Sequence, residues 1–254
     1  MLTALTRKVS PNLGQCELTH IPRQEIDLDL ARVQHEDYEH ALTESGCQVV
    51  RLPEEIYMPD SVFVEDVAIV LDEVAIITRP GVESRREEVK SISDALRKYR
   101  ALSAINPPGT LEGGDVLKIG MTLYVGVTER TNESGIRQFV DLVKPYGYEV
   151  EPVEVNGCLH LKSAVTHAGG DTLLINRSWV DAKPFQGKDF IAVHPDEPYA
   201  ANALLVGNEL IYPANFPKTH SRLLDHNYTV KVVDVSELQK AEGAVTCCSL
   251  IFRQ

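Results

Sequence analysis

The chain has no basic surplus. Its 37 acidic residues outnumber its 25 basic ones, giving a net charge of −12. That balance argues against nucleic acid and anionic membrane as partners, since both are bound through clustered Lys and Arg. No run approaches the roughly 18–20 apolar residues that span a bilayer. The opening MLTALTRKVSPNL lacks the apolar segment of a secretory signal, so a cytoplasmic location is expected. Five cysteines (Cys16, Cys47, Cys158, Cys247 and Cys248) form an odd set without regular spacing. Reduced thiols suit such a set better than a disulfide framework. There is no CxxC and no HExxH, so a zinc site is poorly supported and no metal is expected. With no GxGxxG, no phosphate-binding P-loop and no GxSxG elbow, neither a nucleotide cofactor nor a serine nucleophile is indicated.

What is present is a rough repeat of strand, strand, helix, strand. SVFVEDVAIV and EVAIITRP are Val- and Ile-rich runs separated by Leu71-Asp72-Glu73 in turn position. Ser84 and Glu87 follow in capping-box spacing, then a helix with Val89, Ile92, Leu96 and Tyr99 on one face. GDVLKIG and TLYVGVTE repeat the hairpin, Ile136, Phe139, Val140 and Val143 mark the next helix, and YEVEPVEV returns as a strand. A fourth unit comprises HLKSAVTHAG, DTLLINR, a short helix around Trp179, and FIAVH. A fifth comprises NALLVGN, ELIYPA, a short helix around Leu223, and TVKVVDV. The first unit is split between the termini. Its helix runs from about Asp27 to Ser45 with Leu30, Val33, Tyr38, Ala41 and Leu42 inward and Gly46 just past its end. QVVRLP follows it, and LTALTRKV and the C-terminal GAVTCCSLIF supply the missing strands. Five such units, closed by both ends of the chain, predict a single α/β domain over residues 1–254, shaped as a ring with pseudo-fivefold symmetry. Closure would remove exposed sheet edges. An open mixed sheet is the alternative.

Three polar clusters interrupt these apolar runs. The first is PDSVFVED, residues 59–66. Carboxylates inside an apolar strand either meet a cation or lie at a solvated edge. Strand alternation would put Glu65 and Asp66 on opposite faces unless a bulge aims both inward. The second is TLEGGD, residues 110–115, where the Gly pair suits a tight turn or a close approach by another group. The third joins CLHLKS, residues 158–163, to TCCS, residues 246–249. A Cys and a His among apolar neighbours are either core residues or a nucleophile and its base.

In this order, PDSVFVED, ITRPGVESRREEV, LEGGDVL, ERTNESG, LHLKS, YAAN and EGAVTCCSL, with PNLGQCEL near the N-terminus, resemble the dimethylarginine dimethylaminohydrolase family of the pentein superfamily. The likeness spans essentially the whole chain. It implies the pentein fold, a five-bladed α/β propeller of ββαβ units, and hydrolysis of Nω-methylated arginine. Matched residue by residue, it implies Cys247 as nucleophile, His160 as general acid and base, and Glu112 as the carboxylate that orients His160. Glu65 and Asp66 would grip the guanidinium, and Arg85 and Arg130 the α-carboxylate. Asp60 would take the α-amine, with backbone groups near Leu18 and Ala241. The residue types suit the chemistry. A guanidinium is a planar cation that resists water, paired carboxylates hold it protonated and electrophilic, and a thiolate can then add to its carbon. The implied partner is a small molecule, methylated arginine, with no cofactor; a homodimer is left open. Deimination of unmodified arginine, amidino transfer, and a guanidino-binding protein without catalysis are the competing functions.

Overall fold

The strands of the computed structural model, which describes residues 1–254, fall into five separate three-stranded sheets. The first sheet uses both ends of the chain. β1 (Leu2–Arg7) pairs in parallel with β2 (Cys47–Leu52) across helix α1 (Leu28–Glu44). The second sheet holds β3 (Ala68–Val70), β4 (Val74–Ile77) and, after α2 (Val89–Leu96), β5 (Ala101–Ala104). The third holds β6 (Val116–Ile119), β7 (Thr122–Val127) and, after α3 (Glu133–Val143), β8 (Glu149–Glu154). The fourth is preceded by the single turn α4 (Leu161–Ala164) and holds β9 (Val165–Gly169), β10 (Thr172–Ile175) and β11 (Asp189–Ala192). The fifth holds β12 (Leu204–Val206), β13 (Glu209–Pro213) and, after α5 (Pro217–Asp225), β14 (Thr229–Val233). Beyond the turn α6 (Ser236–Gln239), β15 (Leu250–Arg253) lies antiparallel to β1, with Leu250 opposite Leu5. Every sheet thus joins an antiparallel pair to a third, parallel strand reached by a crossover.

Side-chain packing closes these sheets into a ring. One apolar cluster, with Leu5, Ile77, Leu96 and Phe252, lies between the first and second blades. Ile76, Leu111, Val125 and Phe139 join the second to the third. Leu117, Tyr124, Leu161 and Leu173 join the third to the fourth, and Leu174, Ile191, Leu210 and Tyr212 the fourth to the fifth. Ala4, Tyr38, Val206 and Ile211 complete the circle. The expected ring is therefore present, but its blades remain separate sheets. Edges are kept short instead of being removed. One strand of each blade faces the axis: Ala68, Val116, Thr166, Leu204 and Leu250, from β3, β6, β9, β12 and β15, line a single cavity of about 290 Å³.

Several local expectations need correction. On α1, Tyr38, Ala41 and Leu42 are buried as expected, but Leu30 and Val33 are 41% and 54% exposed. Polar chemistry decides that face. Gln34 bonds Ser236 and the Glu237 backbone, and Glu39 accepts from Thr6 and pairs with Arg51, so these residues take the inner side. Gly46 does end the helix, in a left-handed conformation (φ +92°). Ser84 caps no helix: residues Glu83–Glu88 wind as a 3-10 helix ahead of α2, and the Ser84 hydroxyl reaches Glu17. No helix forms at Trp179; the turn falls at Lys183–Phe185. Val64–Val67 is also a 3-10 turn where strand was expected, while Gly113–Asp115 forms the tight turn that its Gly pair suggested, likewise as 3-10.

Candidate active site

Those turns matter because each precedes an axial strand. Asp66 enters from the turn before β3, Glu112 from the one before β6, and His160 from the residue capping α4. Asn202 enters before β12 and Cys247 before β15. The repeat therefore delivers one polar side chain per blade to the same end of the axis.

His160 is 4% exposed, and its Nε2 lies 2.7 Å from Glu112 Oε2. Glu112 is fully buried, and its other oxygen accepts from the Gly81 backbone at 2.9 Å. On the opposite side, His160 Nδ1 is 3.8 Å from Asp66 Oδ1. The glycines of LEGGD allow this convergence. A Cβ on Gly113 would fall 1.9 Å from the Glu65 carbonyl oxygen, and one on Gly114 would fall 2.5 Å from His160 Nδ1. Burial works against an imidazolium here, yet Asp66, Asp115 and Glu112 outweigh it and raise His160 to about 9. Burial likewise opposes ionisation of Asp66 and Glu112, but His160, with Arg85 beside Asp66, holds both below the usual carboxylate range. Their ligating atoms lie within 4.8 Å of one another, and each is already committed to a protein partner.

Arg85 is buried and heavily engaged. Its Nη1 donates to Asp66 at 2.8 Å, Nε and Nη2 grip Glu88 at 3.2 and 2.9 Å, and Nη2 also reaches the Phe63 carbonyl. Arg130 is less committed. It donates to Thr19 Oγ1 at 2.9 Å and lies 3.5 Å from Glu112. Asp60 is buried and accepts from the Glu17 backbone N–H at 3.1 Å.

Cys247 sits in a turn, not in the terminal strand as expected. Its N–H donates to the Ala244 carbonyl, and its own carbonyl accepts from Glu65 N, both at 3.1 Å. Burial first, then Glu65 and Asp66, push the Cys247 thiol well above its ordinary value. The free side chain is therefore a thiol. Next to it, the Thr246 hydroxyl donates to Glu65 and its backbone N–H to Asn202 Oδ1.

One small cavity collects most of the expected residues: Asp60, Asp66, Arg85, Arg130, His160, Ala241 and Cys247 all line it. Glu112 stands behind His160. Besides Glu112, two expected residues fall outside the lining. The Glu65 side chain turns to the axial cavity and pairs with Lys162, while Leu18 packs on the apolar cluster beside α1, so that Glu17 contributes in its place. Asn202, Lys162 and Thr246 drew no role from the sequence. Only their places within YAAN, LHLKS and TCCS pointed at them.

The closed cavity has about 10 Å³ free, room for one water and not for an amino acid. Glu17, at the start of the segment after Cys16, and Glu242 both line it, and the two regions are tied together. The Glu242 carboxylate accepts from three consecutive backbone N–H groups there: Thr19 and His20 at 2.6 Å and Ile21 at 3.1 Å. Glu242 does this from a left-handed backbone (φ +57°), unusual for a side chain of its kind.

The model of the family described as N,N dimethylarginine dimethylhydrolase, eukaryotic, matches residues 15–183. The chain is 40% identical over 252 residues to N(G),N(G)-dimethylarginine dimethylaminohydrolase of Streptomyces coelicolor, across 99% of this chain and 97% of that protein. A mutant of the Pseudomonas aeruginosa enzyme, cysteine replaced by serine and complexed with citrulline, superposes with a TM-score of 0.95 at 34% identity, covering 99% and 100% of the two chains. A histidine-to-glycine mutant of a dimethylarginine dimethylaminohydrolase, as an adduct with S-methyl-L-thiocitrulline, superposes with a TM-score of 0.94 at 33% identity, with the same coverage. No helix is long and apolar enough to cross a membrane.

Proposed function

The chain belongs to the dimethylarginine dimethylaminohydrolase family, and from that premise we propose that it hydrolyses Nω-methylated arginine to citrulline and dimethylamine or methylamine through a covalent thiouronium on Cys247. The observation that carries this reading is a single cavity lined by a thiol, a carboxylate-backed imidazole and a further carboxylate: Cys247, His160 on Glu112, and Asp66. The ring acts as one catalytic domain.

Asp66 binds the guanidinium by charge-assisted hydrogen bonds and keeps it protonated, so its central carbon stays electrophilic. Glu65 contributes charge from behind this wall rather than a direct grip, since Lys162 and Thr246 hold its oxygens. The resting thiol owes its raised pKa partly to Glu65 and Asp66. A bound substrate cation offsets those charges and favours the thiolate. The thiol proton leaves to solvent, because His160 already carries one. The thiolate then adds to the carbon, His160 protonates the departing amine, and the C–N bond breaks. What remains is a cationic thiouronium and a neutral imidazole. His160 next takes a proton from the attacking water as the oxygen bonds to the carbon; the C–S bond then breaks, the hydroxyl proton of the adduct passes to the departing sulfur, and citrulline and the Cys247 thiol are released.

Citrulline formation from methylated arginine, measured against plain arginine, tests the proposal. Turnover of arginine alone would replace it with deimination, and turnover of neither with a binding role. Selectivity for the free amino acid is expected as well. Arg130, with the remaining hydrogen-bond capacity of Arg85, takes the α-carboxylate, and Asp60 the amine. Each buried charge-assisted contact is worth about 1.5–3 kcal/mol. Agmatine, which lacks the carboxylate, is therefore expected to lose more than about a hundredfold in kcat/KM relative to arginine, and its methylated form likewise. Equal values would remove this role from both arginines. The two also differ in kind. Arg130→Ala raises KM with little change in Tm, whereas Arg85→Ala strands Asp66 and Glu88 in the interior and costs about 3–5 kcal/mol of stability.

The pH profile has a defined basic side. His160 donates a proton to the leaving amine only while protonated, and its pKa is raised to about 9. Since kcat reports the substrate complex, in which the bound cation has favoured the thiolate, kcat is expected to hold through neutral pH and to fall on the basic side, well above about 6.5, as His160 loses its proton. A basic limb near 6.5, the ordinary imidazole value, would show that the surrounding carboxylates do not set this proton.

A further inference from the structure

Asp115 has no task in the mechanism above, yet it is fully buried and hydrogen-bonded through both oxygens. Oδ1 accepts from the Leu161 backbone N–H at 2.9 Å, one residue beyond His160. Oδ2 accepts from the Thr131 hydroxyl at 2.6 Å and the Thr128 hydroxyl at 2.7 Å. Both hydroxyls also accept hydrogen bonds. The Thr131 oxygen also takes the Glu112 backbone N–H at 3.1 Å. The Thr128 oxygen takes the N–H groups of Arg130 and Thr131 at 3.1 and 3.2 Å. Gly126 gives this carboxylate its room: a Cβ there would lie 2.7 Å from Oδ1.

We propose that Asp115 is a positioning residue that sets His160, Glu112 and Arg130 in register with one another. Three loops from two blades, carrying the proton donor, its carboxylate partner and a substrate-binding cation, meet on this one side chain. The inference rests on the assignment of His160 as the acid and base. Its geometry supplies the reason for a carboxylate. Asp115 must accept three hydrogen bonds at once, since the two hydroxyl oxygens are already occupied as acceptors. An amide accepts on one side only, so Asp115→Asn faces two donating hydroxyls with its own N–H groups. Asp115 also contributes negative charge beside His160, together with Asp66 and Glu112. The other charged or titratable groups around this pair are Arg85 behind Asp66, Arg130 behind Glu112, and the thiols of Cys158 and Cys247.

The test uses the full chain and separates the arms. Thr131→Val removes the link to Glu112 and is expected to lower kcat at least about tenfold with KM within about twofold. Thr128→Val removes the link to Arg130 and is expected to raise KM at least about fivefold while kcat holds. In Asp115→Asn, the imidazole titration of His160, followed by NMR on histidine-labelled protein, is expected to move down by about one pH unit. This titration needs no substrate, so it reports on Asp115 even if methylated arginine proves to be the wrong substrate. If Asp115→Asn does not fold, the threonine variants decide. Wild-type kcat in Thr131→Val together with wild-type KM in Thr128→Val overturns the proposal, as does an unmoved titration in a folded Asp115→Asn protein.

Discussion

Replacing Cys247 by Ala or Ser is expected to lower turnover by on the order of 10⁴-fold or more, because no other group in the cavity can form the covalent intermediate. Stability should change by no more than about 1–2 kcal/mol, since the turn is held by backbone bonds from Ala244 and Glu65 that do not involve the sulfur. Cys248 provides the internal control. It lies one residue on, is 1% exposed, packs in the apolar cluster beside α1, and does not line the cavity. Cys248→Ala should keep most of the activity and lose only packing. Activity assays with Tm measurements on both variants decide the matter. An active Cys247→Ala and an inactive Cys248→Ala would move the nucleophile by one residue.

Much of the ring was legible in the sequence because its strands are short Val- and Ile-rich runs bounded by turns. The stripe Ile136, Phe139, Val140 and Val143 marked its helix correctly, and all but the half-buried Val140 are buried. Legibility failed where polar groups override periodicity. Leu30 and Val33 match a helical stripe, but the hydrogen bonds of Gln34 and Glu39 turn α1 the other way. Glu65 and Asp66 fell in an apparent strand, and two-residue alternation could not say where each points. The 3-10 turn sends Asp66 to the cavity and Glu65 to Lys162 on the far side. Asp115, Asn202 and Lys162 were unreadable for another reason. Each works through residues far away in the chain: Asp115 through Leu161, Asn202 through Thr246, and Lys162 through Glu65. Such roles exist only once the loops have met at the axis.

His160→Gly should separate the two halves of the reaction, depending on what leaves. With dimethylarginine the departing group is an amine, which must be protonated as the C–N bond breaks. The variant has lost that acid, so even formation of the Cys247 adduct should slow, by about 10²–10⁴-fold. S-methyl-L-thiocitrulline differs at this one point: its leaving group is a thiol, stable enough to depart without a proton. Attack by Cys247 should then proceed, while hydrolysis of the adduct stalls because no base takes the proton of the attacking water. The relative with its histidine replaced by glycine, as an adduct with this same compound, is consistent with that sequence of events in that protein. For this chain, intact-protein mass spectrometry after mixing should show a persistent increase equal to the compound less methanethiol, absent in a Cys247→Ala background. Dimethylarginine should give the same increase, less dimethylamine, far more slowly. If His160→Gly turns over both compounds without a lasting adduct, His160 is neither the acid nor the base. The acid and base would then have to be sought among the other cavity residues.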